Sequence, residues 1–305
     1  MKAQVKLFSA LLLLSFLSGC VSYTKSHLAQ IEQGSKPKVI VITSIPNEVY
    51  IEYIGFLVFQ NDRIKHPLNS EFVNQIDSHA KNLIAHDDIV EIVPLDSSDI
   101  TDLENQLSSS LDEFWLKKFD STQLQTVSGW GISNNADYVA IISPDGRQSI
   151  HYERAGYVAG KGILVDNMFQ PYSHLFGSYE IALIDTATAQ YSDIVGTGTF
   201  QSTLSLQKEN VTDEEITKIT KKWKQEVEKY EVLGRGQEPE SLESRIELAK
   251  NYNSDDYANI SEEGLLKVDK RLEPLALRSV QQSLIKLEII HGEPIDGSVE
   301  FLKED

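Results

Sequence analysis

Hydrophobic positions along the chain change their period several times, and each change marks an element. Val39-Ile40-Val41-Ile42 and the run Val49 to Phe59 are β-branched and aromatic, with Pro46 and Asn47 between them, which predicts two neighbouring strands. From Ser70 the period becomes helical: Phe72, Ile76, Ala80, Leu83 and Ile84 share one face and Ser70 is placed to cap, so a helix of about four turns is expected. Ile89 to Val93 reads as a strand. Ile100, Leu103, Leu107, Leu111 and Phe114 then return to 3.6 periodicity up to about Lys118, and a shorter helical stretch covers Ser121 to Val127.

Asp137 to Ile142 is continuously apolar and ends in Ser143-Pro144-Asp145-Gly146, the pattern of a central strand closed by a turn. Tyr179 to Ile184 and Tyr191 to Phe200 flank Asp185-Thr186-Ala187-Thr188 and predict an antiparallel hairpin. Beyond it, Ile216, Ile219, Trp223, Val227 and Tyr230 form one stripe of an amphipathic helix over Asp213 to Leu233. Leu242, Ile246 and Ala249 suggest a short helix, Leu272 to Ile290 a long one, and the chain from Gly292 onward reads as loosely held.

The fold class that follows is α/β (α+β) over 38–305: a mixed sheet with packed helices, a late antiparallel hairpin and a C-terminal helix. Residues 207–271 read as a helical insertion or small subdomain. Internal repeats, which would signal a solenoid, are absent.

The N-terminus carries an address. Lys2 and Lys6 precede an apolar run, Leu7 to Phe16, that is too short to span a bilayer, since a spanning helix needs about 20 apolar residues. Leu17-Ser18-Gly19-Cys20 follows it, and this pattern resembles the lipobox of bacterial lipoproteins. The resemblance implies that residues 1–19 are a signal peptide, that Cys20 is the lipid attachment site, and that 20–37 are a polar, lipidated linker. Two or three acyl chains, at about 0.8 kcal/mol per buried methylene, anchor a protein stably. Val21 stands where enteric sorting reads aspartate as a signal for the inner membrane, so the resemblance places the protein in the outer membrane, facing the periplasm.

Charge narrows the partners. The chain carries a formal −18; residues 1–19 hold two lysines and no acid, so the mature chain would carry −20. Such a field repels phosphate backbones, which excludes nucleic acid as a natural partner, and repels anionic head groups beyond the lipid itself. Cys20 is the only cysteine, so no internal disulfide is available and packing must supply the stability.

Ala136-Asp137-Tyr138-Val139 leading into an apolar strand, and Ile181 to Ala189 leading into Val195-Gly196-Thr197-Gly198-Thr199-Phe200, resemble a diffuse class of envelope lipoproteins. The curli secretion lipoprotein and the lipoprotein activator of a peptidoglycan synthase carry domains of this class. The resemblance covers roughly residues 38–200 and implies a periplasmic α/β domain. Ala189-Gln190 departs from it, standing where the class has a turn glycine.

No motif announces catalysis. Gly156 to Gly162 lacks the glycine spacing and the Ser or Thr after Lys161 that a phosphate loop requires. His79 and His86 lie about 10 Å apart along one helix, too far to share a metal. His27, His66, His151, His174 and His291 are scattered without a local acid at catalytic spacing. The expectation is therefore a lipid-anchored, non-catalytic interaction or scaffolding module with an envelope protein partner or a second copy of itself, and with no cofactor or metal. The alternative is an envelope hydrolase whose site is assembled from dispersed residues around the glycine-rich segment. The stripe of Asp213 to Leu233 reads as core or as an interface.

Overall fold

The computed structural model describes residues 26–54, 62–67, 71–107, 111, 118–145, 147–148, 157–166, 172–202, 211–233, 241–249, 260, 262–297 and 299–302. Its centre is the predicted hairpin, formed by β9 (Tyr172–Asp185) and β10 (Gln190–Ser202), antiparallel from His174↔Ser202 to Asp185↔Gln190 with a bulge between Tyr191 and Asp193. The other edge of β9 is shared by two strands laid end to end. β5 (Tyr138–Pro144) pairs with Tyr179–Asp185, and β8 (Gly160–Asp166) pairs with Tyr172–Ser178.

The next row repeats the arrangement. β1 (Lys38–Thr43) runs parallel to β5, and β2 (Glu48–Ile54) runs parallel to β8. The sequence pattern predicted these two as neighbours; they are instead successive segments of one row. The Pro46-Asn47 break shifts the chain along the row without reversing it, because each segment has a longer partner row to join. β3 (Asp62–Pro67) closes one end antiparallel to β2, and β4 (Glu91–Ile92) closes the other parallel to β1. A small hairpin, β6 (Arg147–Gln148) with β7 (Tyr157–Val158), fills the excursion between β5 and β8.

Helices cover both faces of the sheet. On one face lie α2 (Phe72–Asp87) and α7 (Glu262–Lys286). Phe72, Ile76, Ala80 and Ile84 of α2 and Ala276, Val280 and Leu284 of α7 pack on Val39, Val41, Tyr138, Ala140, Ile142, Tyr179, Ile181 and Leu183. The first half of α7 continues over Val49, Ile51, Ile163, Val165 and Leu175 through Leu265, Val268 and Leu272. On the other face, α3 (Ser97–Leu107) and α4 (Ser121–Ser133) pack Leu103, Leu107, Leu124, Val127 and Trp130 on Ile40, Ile42, Val139, Ile141, Ala182 and Ile184. The period-2 strands and 3.6-period helices thus assemble into three layers. The mixed α/β class with a closing helix is as expected.

Several local expectations change. Residues 20–37 were expected to be tether, yet Ser26–Glu32 is a helix, α1, with His27 buried. The N-cap of α2 is Glu71, without a side-chain cap bond, and Ser70 lies outside the described residues. α4 runs six residues past the predicted Val127, started by an Asp120–Gln123 capping box. α7 begins ten residues before Leu272 and holds Pro274 within it. The tail after Gly292 returns as β11 (Val299–Phe301), parallel to β10.

Candidate functional site

The amphipathic helix α5 (Asp213–Leu233) starts where its sequence says it should. Thr212 Oγ1 accepts from the Glu215 amide at 3.3 Å, and Glu215 Oε2 accepts from the Thr212 amide at 2.9 Å, closing a capping box that sequence reading had overlooked in Thr212-x-x-Glu215. Asp213, Glu214 and Glu215 in the first turn also complement the helix dipole. The helix packs against α6 (Leu242–Leu248), itself capped by Ser241, and Arg245 joins Glu226 at 2.6 Å.

The five stripe residues do not enter the core. Ile216, Ile219, Trp223, Val227 and Tyr230 are each only half-buried, and none belongs to the four hydrophobic clusters among the described residues. From Ile216 to Gln225 the helix carries Lys218, Lys221, Lys222 and Lys224 and no acid, in a chain of net charge −18. An apolar ribbon one residue wide, flanked by ammonium groups, is a surface shaped for another helix or groove.

Titratable groups gather elsewhere, on the two faces of the sheet. On the α4 face, Lys118 forms an ion pair with Glu180, and Ser143 donates to the same carboxylate at 3.2 Å. Asp145 lies buried beside them, its carboxylate against the Cα of Gly196, where a side chain would collide with it. Burial lowers the Lys118 ammonium to about 8, while the Asp145 charge opposes that shift. On the α7 face, the buried Lys161 pairs with Asp269 and rests over the Phe72 ring at 3.4 Å. On the opposite face, near the β3 edge, Glu52 meets Arg63 at 2.7 Å, and the Arg63 guanidinium stacks on Tyr50 at 3.9 Å. Burial pushes the Glu52 carboxyl up to about 7, against the pull of Arg63.

The hydrolase alternative needs such groups to converge around the glycine-rich segment. Of that segment, Tyr157 to Gly162 lies in the described residues, as strand. Lys161 points to the helix α7 and the Lys118–Glu180–Asp145 group to the helix α4 side, so the sheet stands between them. Among the described residues no three His, Cys, Asp or Glu side chains are placed to hold a metal ion.

Of the histidines, His86 and His291 meet at one carboxylate, that of Asp87, and the other described ones lie apart. His86 is exposed beside Asp87, and His79 is lowered in pKa by burial. His291 lies 3.5 Å from the same Asp87. His151 and Cys20 lie outside the described residues. His27 is the one whose burial had no signal: its Nε2 donates to the Leu287 carbonyl at 2.9 Å, and in the neutral ring Nδ1 then accepts from Ser192 at 2.9 Å. Ser26 beside it donates to Asp185 at 2.6 Å and accepts from Tyr138 at 3.2 Å. This network fastens α1 to the sheet. Beside α1 is an open groove of about 600 Å³ whose apolar walls are Ile31, Ile89, Ile285, Ile290 and Pro294.

No protein-family model and no curated protein matches the chain. Solved structures do. The C-terminal domain of LpoB from Salmonella enterica is 10% identical over 56% of this chain and 91% of that chain, with a TM-score of 0.24. The PelC dodecamer from Paraburkholderia phytofirmans, in two crystal forms, is 12% identical over 52% of this chain and 66% of that chain, with a TM-score of 0.23. The likeness is weak at these values, and no residue role passes from either protein to this chain.

Proposed function

We propose that this chain is an outer-membrane lipoprotein, anchored through Cys20 and facing the periplasm, whose domain is a non-catalytic interaction or scaffolding module. The contact surface is the stripe of α5. The observation that supports this is the stripe itself: Trp223 and its four neighbours are held half-exposed on a capped, 21-residue helix. The part of such a ribbon that stays in water forgoes hydrophobic stabilisation of about 25 cal/mol per Å², which a partner's surface recovers on binding. The partner that fits is a second envelope protein with an apolar groove and an acidic rim, because Lys218, Lys221, Lys222 and Lys224 surround Trp223.

A photo-crosslinking residue in place of Thr220 identifies the partner in cells, and titration of the purified pair then measures the contact. A tryptophan at the centre of an interface contributes about 2 kcal/mol or more, so Trp223→Ala should weaken binding roughly 30-fold. The thermal transition of the domain should meanwhile stay in place. Unchanged affinity in Trp223→Ala refutes the assignment of α5, and cross-links confined to two copies of this chain replace the second protein by self-assembly.

A further inference from the structure

We propose that the α1 end of the domain is its membrane-facing end, with the groove beside α1 lying against the bilayer that holds Cys20. This rests on the lipidation of Cys20 proposed above. Only residues 21–25 separate Cys20 from Ser26, the first residue of α1. Six steps of extended chain span at most about 20–22 Å. Ser26 and His27 are themselves fixed: Ser26 by Asp185 and Tyr138, His27 by Ser192 and the Leu287 carbonyl. The lipid therefore connects to a rigid point on the sheet and not to a loose tail.

That point is at one end of a long object. Asp185, Tyr138 and Ser192 all sit where β9 ends and β5 and β10 begin. β9 has 14 residues and extends about 45 Å from there. At its far end lie Tyr172 and Ser202, the residue from which the chain departs toward α5, and the start of α7, to which it returns. With the α1 end held within reach of the head groups, the root of the α5–α6 arm is carried to the side away from the membrane. The sheet acts as a spacer that presents the arm.

The groove suits the near position. Its apolar walls are isoleucine and proline, Ile31 of α1 among them, and Lys286, Glu288 and His291 line it as well, so the surface closest to the anchor is amphipathic, the character that suits a bilayer interface. The strongly acidic chain disfavours contact driven by anionic head groups, whereas apolar contact with the interface is insensitive to that charge.

The test uses the acylated protein in phosphatidylethanolamine–phosphatidylglycerol vesicles containing a nitroxide-headgroup lipid. Since Cys20 is the only cysteine and is acylated, one added cysteine gives a unique fluorophore site. Glu293→Cys at the groove, Asp62→Cys on β3 and Lys221→Cys on α5 are all exposed positions. Quenching at Glu293→Cys should exceed that at the other two several-fold. Lengthening the tether by ten Gly/Ser residues after Val21 should bring the three labels toward equal, weak quenching while leaving the protein on the vesicle. Equal quenching in the acylated parent, or stronger quenching at Lys221→Cys, overturns the orientation and leaves the lipoprotein reading intact. Mass spectrometry that finds no acyl group on Cys20 overturns both.

Discussion

Gly177 on β9 sits directly under α7, and adding one methyl there is the sharpest test of how the core is built. A Cβ at this position would lie 2.6 Å from the Ala276 amide nitrogen and 2.7 Å from the Ala276 Cα and the Leu275 carbonyl carbon. All three are backbone atoms of a long helix, which no rotamer change can move aside. Relief requires α7 to lift by about 1 Å, since carbon atoms rest at about 3.5–4 Å. Overpacking of this kind costs about 1–3 kcal/mol. Lifting α7 also stretches the buried bonds that register it on the hairpin: the Tyr179 amide to Ser279 at 2.9 Å, Ser279 to the Thr197 carbonyl, and Ser283 to the Tyr179 carbonyl at 3.2 Å. With about 1 kcal/mol for each weakened bond, Gly177→Ala should lose about 4–6 kcal/mol, a large part of a typical domain's stability. Gly129 in α4 is the matched control, with nothing within 4 Å of its Cβ position. There the same change should stabilise by roughly 0.5–1 kcal/mol, because glycine is a poor helix former. Urea unfolding of both variants reports the two shifts in midpoint at constant m. A Gly177→Ala midpoint equal to the parent's would refute the close approach of α7 to β9.

Ala189 adopts a φ of 53°, the left-handed region, after a turn in which Asp185 accepts from the Ala187 and Thr188 amides; Ala189→Gly should stabilise by about 1 kcal/mol in the same urea assay. His27→Ala removes two buried bonds and a ring packed edge-on to Tyr138, and should cost about 2–4 kcal/mol with amide exchange of residues 26–32 rising first. For Glu52, the folded carboxyl at about 7 binds its proton more tightly than an unfolded one near 4.5. Its contribution is therefore present below about pH 4.5 and fades as the pH rises to about 7, on the order of 3 kcal/mol. Stability measured across that window should fall less in Glu52→Gln than in the parent, and parallel profiles would count against a buried Glu52.

What the sequence revealed depended on how local the cause was. Tyr138 to Ile142 read as a central strand because both of its faces are buried, which forbids polar positions. The hairpin read correctly because its turn residues lie between its own strands. α5 read correctly for the same reason, and only the fate of its stripe was open. β3, Asp-Arg-Ile-Lys-His-Pro, gave no strand signal, because an edge strand with one partner tolerates charge and proline. The docking of α1 was illegible for a different reason. His27 is buried by Ser192 and Leu287, 165 and 260 residues away, and no local period encodes such a contact. The missing turn glycine at Ala189 was visible in the sequence, but its positive φ needed the backbone.

The break in the sheet accounts for the polar group that most resembles a catalytic site. Where β1 gives way to β2, and β5 to β8, ladder bonding is interrupted on two adjacent rows, and buried backbone groups there must find other partners. The Ser44 amide donates to the Ile142 carbonyl at 2.8 Å, the Ser44 hydroxyl to the Leu111 carbonyl, and the Asp145 amide to the Ser178 carbonyl at 3.0 Å. Ser44 is thus explained by backbone satisfaction. Glu180 follows from the same constraint: it extends from β9 beneath the gap, where Ser143 and Lys118 bond its carboxylate. A buried carboxylate so paired is committed to holding the end of β5 and the Lys118 segment against β9. A general base would instead need that carboxylate turned toward a substrate, with Lys118 released. The chemistry of this cluster therefore serves the sheet, and under the proposed function the contact surface is the ribbon on α5.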